Sequence, residues 1–133
     1  FRKVHAALSP SWLPNQQLHY TLEAMGKAEE MTDRVFAALH VQQMDLERRD
    51  RMADFVARHG VDRARFIQTF DSPAVKAKMQ EATAMAKAIK LDGVPAFTVN
   101  GRWLTAPFML GGSNAGALRV VDYLLARERR GGK

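Results

Sequence analysis

The fold of this chain is decided by the ten residues Gly93-Val94-Pro95-Ala96-Phe97-Thr98-Val99-Asn100-Gly101-Arg102. Residues 94–99 are rich in side chains that favour strands, and Asn100-Gly101 is a strong signal for a two-residue hairpin turn. Residues 102–105 (Arg-Trp-Leu-Thr) supply the returning strand. This stretch therefore predicts a β-hairpin that is entered through a proline.

Pro95 stands at the head of the first predicted strand. Because proline cannot donate a hydrogen bond to a sheet, it belongs at a strand's first residue or on an edge. The trans isomer of the preceding bond is the commoner one, whereas a cis bond would turn the chain sharply and leave an outward backbone edge at Val94. Such an edge can pair with an extended peptide. The three residues Gly93-Val94-Pro95 leave both isomers open.

Helices are predicted on either side of this hairpin. Gly26 and Gly60 are candidate C-caps, Asp62 is a candidate N-cap, and Ser72-Pro73 is typical of a helix start. The inward residues predicted for four of the helices are Leu18, Leu22 and Met25; Met31, Val35, Phe36 and Leu39; Phe66, Ile67 and Phe70; and Leu118, Val121, Leu124 and Leu125. Residues 2–8 alternate between polar and apolar side chains and are predicted to form a strand.

Composition indicates an ordinary globular chain. It has 133 residues, 47% of them apolar and 26% charged, which suits one domain. No apolar run approaches the roughly 20 residues that span a bilayer, and no secretory leader opens the sequence. Since the chain begins inside a predicted strand and without methionine, we interpret Phe1 as a cut end.

Charge and reactive residues narrow the functional classes. The net charge of +6 permits a nucleic acid or an anionic membrane as partner, but the charge is scattered. Its dense cluster, Arg127, Arg129, Arg130 and Lys133, is interpreted as a solvated helix end. There is no cysteine, which excludes thiol chemistry by these residues. The four histidines lack ligand spacing, so neither a metal site nor a cofactor is predicted.

The hairpin motif, preceded by a long Ala/Lys/Met helix and followed by a terminal helix, resembles the DsbA family. Further stretches match in order and separation: residues 22–27, 55–62 and 75–79. The resemblance covers essentially the whole chain. It implies a helix-rich α/β fold: an incomplete thioredoxin-like fold with an inserted α-helical domain. The implied parts are a strand at 1–10, the insertion at 11–72, a returning long helix at 73–91, and the cis-proline loop, hairpin and last helix at 92–133.

Family members carry a Cys-x-x-Cys pair ahead of the point where this chain begins, so the resemblance implies that this chain holds no catalytic residue. The parent would be a periplasmic thiol:disulfide oxidoreductase that donates disulfides to folding secreted proteins. Its partners would be reduced, unfolded proteins and a membrane protein that reoxidises it. An amino-terminal fragment, a swapped neighbour or a second copy would fill the sheet, and no nucleic acid is expected.

Six residues are the candidate substrate site. By resemblance, Val94, Pro95 and Ala96 would hold the substrate backbone beside the reactive sulfur. Phe108, Met109 and Leu110 could line its groove or belong to the core, and the sequence leaves these two roles open.

Two alternatives remain. A glutathione-using relative, the kappa-class transferase and isomerase group, also has a Gly-Val-Pro loop. Residues 52–70 also have the pattern of a helix-turn-helix, with Arg63 and Arg65 on the second helix. That second helix is largely apolar, which leaves a thin polar face for reading bases.

Overall fold

A computed structural model describes residues 4–7, 9–89, 97–99, 103–105 and 114–131 of the chain. A short 3-10 turn, Pro10–Trp12, leads into the regular elements. In chain order these are α1 Leu13–Ala24, α2 Ala28–His40, α3 Arg49–Arg58, α4 Arg63–Phe70, α5 Pro73–Ala88, β1 Phe97–Val99, β2 Trp103–Thr105 and α6 Asn114–Gly131. The chain divides into two compact units, Phe1–Met85 and Ala86–Lys133.

Local signals place the helix ends where the sequence predicts them. Gly26 and Gly60 have φ values of +70° and +85°, the left-handed conformation that ends a helix and that glycine adopts without strain. After Gly60, the Val61 N–H donates to the Val56 carbonyl at 3.1 Å, which closes a Schellman motif. At the start of α4, the Asp62 carboxylate accepts a hydrogen bond from the Arg65 N–H at 2.9 Å. The predicted caps are confirmed.

The core of the first unit lies among α1 to α4. Its largest fully buried side chains include Phe66, Leu18, Met31, Leu46 and Met52. A smaller cluster joins Tyr20 of α1 to Val75 and Ala82 of α5. Burial of these apolar faces, rather than helix propensity, supplies most of the stability of such short helices.

The second unit contains the hairpin and α6. Strands β1 and β2 pair antiparallel, with Phe97 opposite Thr105 and Val99 opposite Trp103. Helix α6 packs against both strands. The predicted β-hairpin and terminal helix are therefore confirmed. In the part of the chain that the structure describes, no helix is both long and apolar enough to cross a membrane.

The strand predicted over residues 2–8 is not found at residues 4–7, which have no regular secondary structure. A strand needs a neighbouring backbone for its ladder, and here both polar groups of the His5 backbone bond to side chains of α1 instead. The prediction for these four residues is wrong. The remaining residues of that predicted strand lie outside the described part.

Three residues predicted to face inward are exposed. Phe36 of α2 is 63% exposed, and Leu118 and Leu125 of α6 are 51% and 40% exposed. Phe36 follows Val35 by one position and is thereby rotated about 100° away from the buried side, where it contacts the His40 ring instead. The buried residues of α6 are Ala117 and Leu124, each one position before an exposed leucine.

Candidate functional site

The residues of the predicted substrate site flank the hairpin in the sequence. Because Phe97 pairs with Thr105, the chain before β1 and the chain after β2 connect to the same end of the two-stranded sheet. The two halves of the predicted site, residues 94–96 and 108–110, belong to those two connections. Val94, Pro95, Ala96, Phe108, Met109 and Leu110 themselves lie outside the described residues, and their roles remain predictions.

A second polar arrangement holds the segment at residues 4–7 against α1. The His5 N–H donates to the Tyr20 hydroxyl oxygen at 3.0 Å, and the Gln16 amide Nε2 donates to the His5 carbonyl at 2.8 Å. Both side chains come from buried positions of α1. The two bonds use the hydrogen-bonding groups that a neighbouring strand would otherwise satisfy, so they fix where this segment lies.

Removal of the Tyr20 hydroxyl tests this arrangement. We expect Tyr20→Phe to lower the free energy of unfolding by about 1–2 kcal/mol, because the His5 N–H loses its acceptor. Tyr123→Phe is the matched control, since that hydroxyl belongs to an exposed ring of α6. Urea denaturation of both variants measures the difference. Equal midpoints for the two variants would show that the His5–Tyr20 bond contributes nothing.

Two histidines that are far apart in sequence stack on each other. The rings of His5 and His19 lie 3.8 Å apart between centroids with an interplanar angle of 10°. His19 Nε2 lies 3.4 Å from a carboxylate oxygen of Glu23, one helical turn further along α1. Burial, and secondly the charge of His19, lower the pKa of His5 from 6.5 to about 4. The spacing of His5 and His19 in the sequence does not predict that their rings stack.

The lowered pKa of His5 makes stability depend on pH. The unfolded chain takes up a proton on His5 near pH 6.5, whereas the folded chain resists it until about pH 4. This contribution to stability is therefore complete above pH 6.5 and is lost as the pH falls from 6.5 to 4. We expect His5→Gln to flatten that part of the stability profile, measured by urea denaturation at a series of pH values. Parallel profiles for His5→Gln and the parent protein would refute the assignment to His5.

An open cavity of about 590 Å³ lies beside the histidine pair in the first unit. Helices α1, α2 and α5 form its walls, and its lining includes Val4, Tyr20 and Ala82. Four carboxylates stand around it, those of Glu23, Glu29, Asp33 and Glu81. Its walls come from three separate helices, which is why no sequence motif marks it. Within the described residues, no three potential ligands come together to hold a metal ion.

Comparison with known proteins places the chain in a family. The family model described as the DSBA-like thioredoxin domain matches residues 3–119. The chain belongs to this family. The match includes α3 and α4, which favours this family over the helix-turn-helix interpretation of residues 52–70. Helix α4 also buries Phe66 and Phe70 in the core.

Two members of the family are similar in sequence to this chain along nearly its whole length. The thiol:disulfide interchange protein DsbA of Bordetella pertussis is 40% identical over 129 residues, which are 97% of this chain and 61% of that protein. The DsbA of Pseudomonas aeruginosa is 35% identical over 133 residues, 63% of its length. The chain thus spans less than two thirds of these relatives.

Solved structures of the DSBA-like family have the same fold. The crystal structure of Pseudomonas aeruginosa DsbA superposes with a TM-score of 0.91 at 34% identity, covering 97% of this chain and 67% of that one. The oxidoreductase DsbA from Xylella fastidiosa gives 0.87 at 31% identity, with 98% and 69% covered. The thioredoxin-like, helix-rich fold implied by the sequence resemblance is confirmed.

Proposed function

We propose that this chain is part of a periplasmic thiol:disulfide oxidoreductase that donates disulfides to folding secreted proteins. The observation that carries the proposal is the 40% identity to a thiol:disulfide interchange protein over 97% of the chain. Because the 133 residues contain no cysteine, the redox pair would lie outside them. The chain would supply the inserted helical domain (11–72), the returning helix (73–91) and the hairpin with its terminal helix (92–133) of an otherwise incomplete thioredoxin fold.

The chemistry would be thiol–disulfide exchange. A substrate thiolate attacks one sulfur of the enzyme disulfide and forms a mixed disulfide, and the enzyme's other cysteine leaves as a thiolate. A second substrate thiolate then attacks the mixed disulfide, which oxidises the substrate and leaves both enzyme cysteines reduced. A membrane partner would accept those two electrons. No cofactor held by this chain takes part.

The part of this chain in the reaction would be to hold the substrate. An extended substrate strand would pair with the backbone at Val94 and Pro95, followed by Ala96, while Phe108, Met109 and Leu110 would line an apolar groove for its side chains. The pairing of Phe97 with Thr105 supports these two roles, because the chain segments before β1 and after β2 then continue from the same end of the hairpin. Partners of the whole protein would be reduced, unfolded proteins, and either an amino-terminal fragment or a second copy would complete the sheet.

Peptide binding tests the substrate site without requiring the cysteines. The probe is an extended peptide with one S-methylated cysteine, titrated into isotope-labelled protein and followed by amide chemical shifts. We expect Val94→Pro to weaken binding about tenfold, because it removes the backbone N–H that would donate to the peptide. Phe108→Ala should also weaken binding, whereas Phe36→Ala, which truncates an exposed ring of α2, should not.

Two outcomes would contradict the proposal. Unchanged affinity in both Val94→Pro and Phe108→Ala would remove the substrate role from this loop pair. Saturable binding of glutathione at the same residues, with no binding of the peptide, would favour the glutathione-using alternative.

A further inference from the structure

The segment at residues 4–7 is held against α1 through contacts of His5. The His5 N–H donates to the Tyr20 hydroxyl oxygen at 3.0 Å, the His5 carbonyl accepts from the Gln16 amide at 2.8 Å, and the His5 ring stacks on that of His19. Residues 4–7 belong to no helix or strand. A segment without its own ladder of backbone hydrogen bonds opens at a lower cost in free energy than the helices do. Loss of the His5 contacts would therefore free this segment while the helices stay folded.

The stack of His5 on His19 is sensitive to charge. The ring centroids are 3.8 Å apart and the planes are inclined by only 10°, so the two rings lie face to face. His19 Nε2 lies 3.4 Å from a carboxylate oxygen of Glu23, and a carboxylate at this distance stabilises the protonated form of the ring. One positive charge on the pair is thereby compensated. A second positive charge, on His5, would lie directly against the first and be repelled by it.

Other charged groups stand near the histidine pair. Those that line the neighbouring cavity come from three helices: Glu23 of α1, Glu29 and Asp33 of α2, and Lys78 and Glu81 of α5. The Lys78 ammonium lies 4.0 Å from the Glu81 carboxylate. In this setting the pKa of His5 is still lowered from 6.5 to about 4, first by burial and secondly by the charge of His19. A released His5 in water would regain its ordinary affinity for protons.

We propose that the stacked rings of His5 and His19 form a pH-sensitive latch, which releases residues 4–7 from α1 when both rings are protonated. Protonation of histidine clusters drives transitions of this kind in pH-sensing proteins. With pKa values of about 4 when held and 6.5 when released, the ratio of released to held segment rises on the order of a hundredfold between pH 7 and pH 4. Because Val4 is part of the cavity wall, release also widens the cavity. The proposal does not depend on the redox function.

Backbone ¹⁵N relaxation at pH 7 and at pH 4 tests the latch. We expect the order parameters of residues 4–7 to fall from about 0.85, typical of a rigid backbone, to below about 0.6, while those of α3 stay near 0.85. In His5→Gln the side chain at position 5 takes up no proton, so the fall should be absent. The matched control is Glu29→Gln/Asp33→Asn, which removes two other ionisable groups of the cavity and should retain the fall.

Four results would overturn the proposal. The first is that the order parameters of residues 4–7 in the parent protein are the same at both pH values. The second is an equal fall in His5→Gln, which would assign the change to another group. The third is loss of the fall in Glu29→Gln/Asp33→Asn, which would assign it to the carboxylates of the cavity. The fourth is a simultaneous loss of order in α3, which would mean that the first unit unfolds as a whole.

Discussion

Replacement of Phe66 by alanine is expected to lower the free energy of unfolding by about 3–5 kcal/mol. Phe66 has no exposed surface and lies at the centre of the core that joins α1 to α4, with its ring centroid 5.9 Å from that of Phe70. This loss has two parts. One is the free energy that burial of the phenyl ring contributes to folding, and the other is the cost of the cavity that forms where the surrounding side chains do not move in. Since domains of this size have about 5–15 kcal/mol of total stability, this single change should remove a large share of it.

Phe36→Ala is the control for this prediction, because it deletes the same ring from an exposed position of α2. We expect it to cost less than about 1 kcal/mol. Urea denaturation of both variants measures the two losses of unfolding free energy. The dependence of that free energy on urea concentration is fitted with one common slope. Similar losses in Phe36→Ala and Phe66→Ala would mean that the core assigned to α1–α4 is wrong.

The second large effect concerns catalysis. We expect the 133-residue chain alone to add nothing to the rate at which glutathione disulfide oxidises a reduced, unfolded ribonuclease, because it has no thiol. If the proposed function holds, a cysteine-bearing protein that contains this chain should raise that rate on the order of a hundredfold or more, since a thiolate of lowered pKa is a better leaving group. Counting the thiols of the ribonuclease over time, after acid quenching and removal of glutathione, measures both rates.

Alkylation is the control for the catalytic prediction. Blocking the thiols of the reduced, cysteine-bearing protein should abolish its rate enhancement and leave the rate with the 133-residue chain unchanged. Acceleration by the 133-residue chain itself would contradict the assignment of the chemistry to cysteines outside it.

Local features of this fold could be predicted from the sequence, and features that depend on distant residues could not. The helix ends at Gly26 and Gly60, the cap at Asp62 and the hairpin all follow from a few neighbouring residues. The strand predicted at residues 2–8 required a neighbour in space, and alternation of side chains does not reveal whether that neighbour exists.

The same limit applies to the candidate site. His5 and His19 stack although fourteen positions separate them, and the cavity beside them has walls from three helices. Helical periodicity correctly predicted that Leu124 is buried, but it also predicted burial of Leu118 and Leu125, which are exposed. The width of the buried side of a helix depends on what packs against it, and periodicity does not show this. The pairing of residues 97–99 with residues 103–105 was predictable, since the turn signal at Asn100-Gly101 indicates which strands pair.

The central claim is that this chain belongs to a working thiol:disulfide oxidoreductase, and intact-mass analysis of the protein isolated from its own cells tests it most directly. The mass is measured without and with reductant. We predict a species that contains this sequence together with a cysteine pair, either in one polypeptide or as an associated fragment, and that gains about 2 Da on reduction as the disulfide takes up two hydrogens. A single cysteine-free species of 14.9 kDa, with the same mass under both conditions, would contradict the claim.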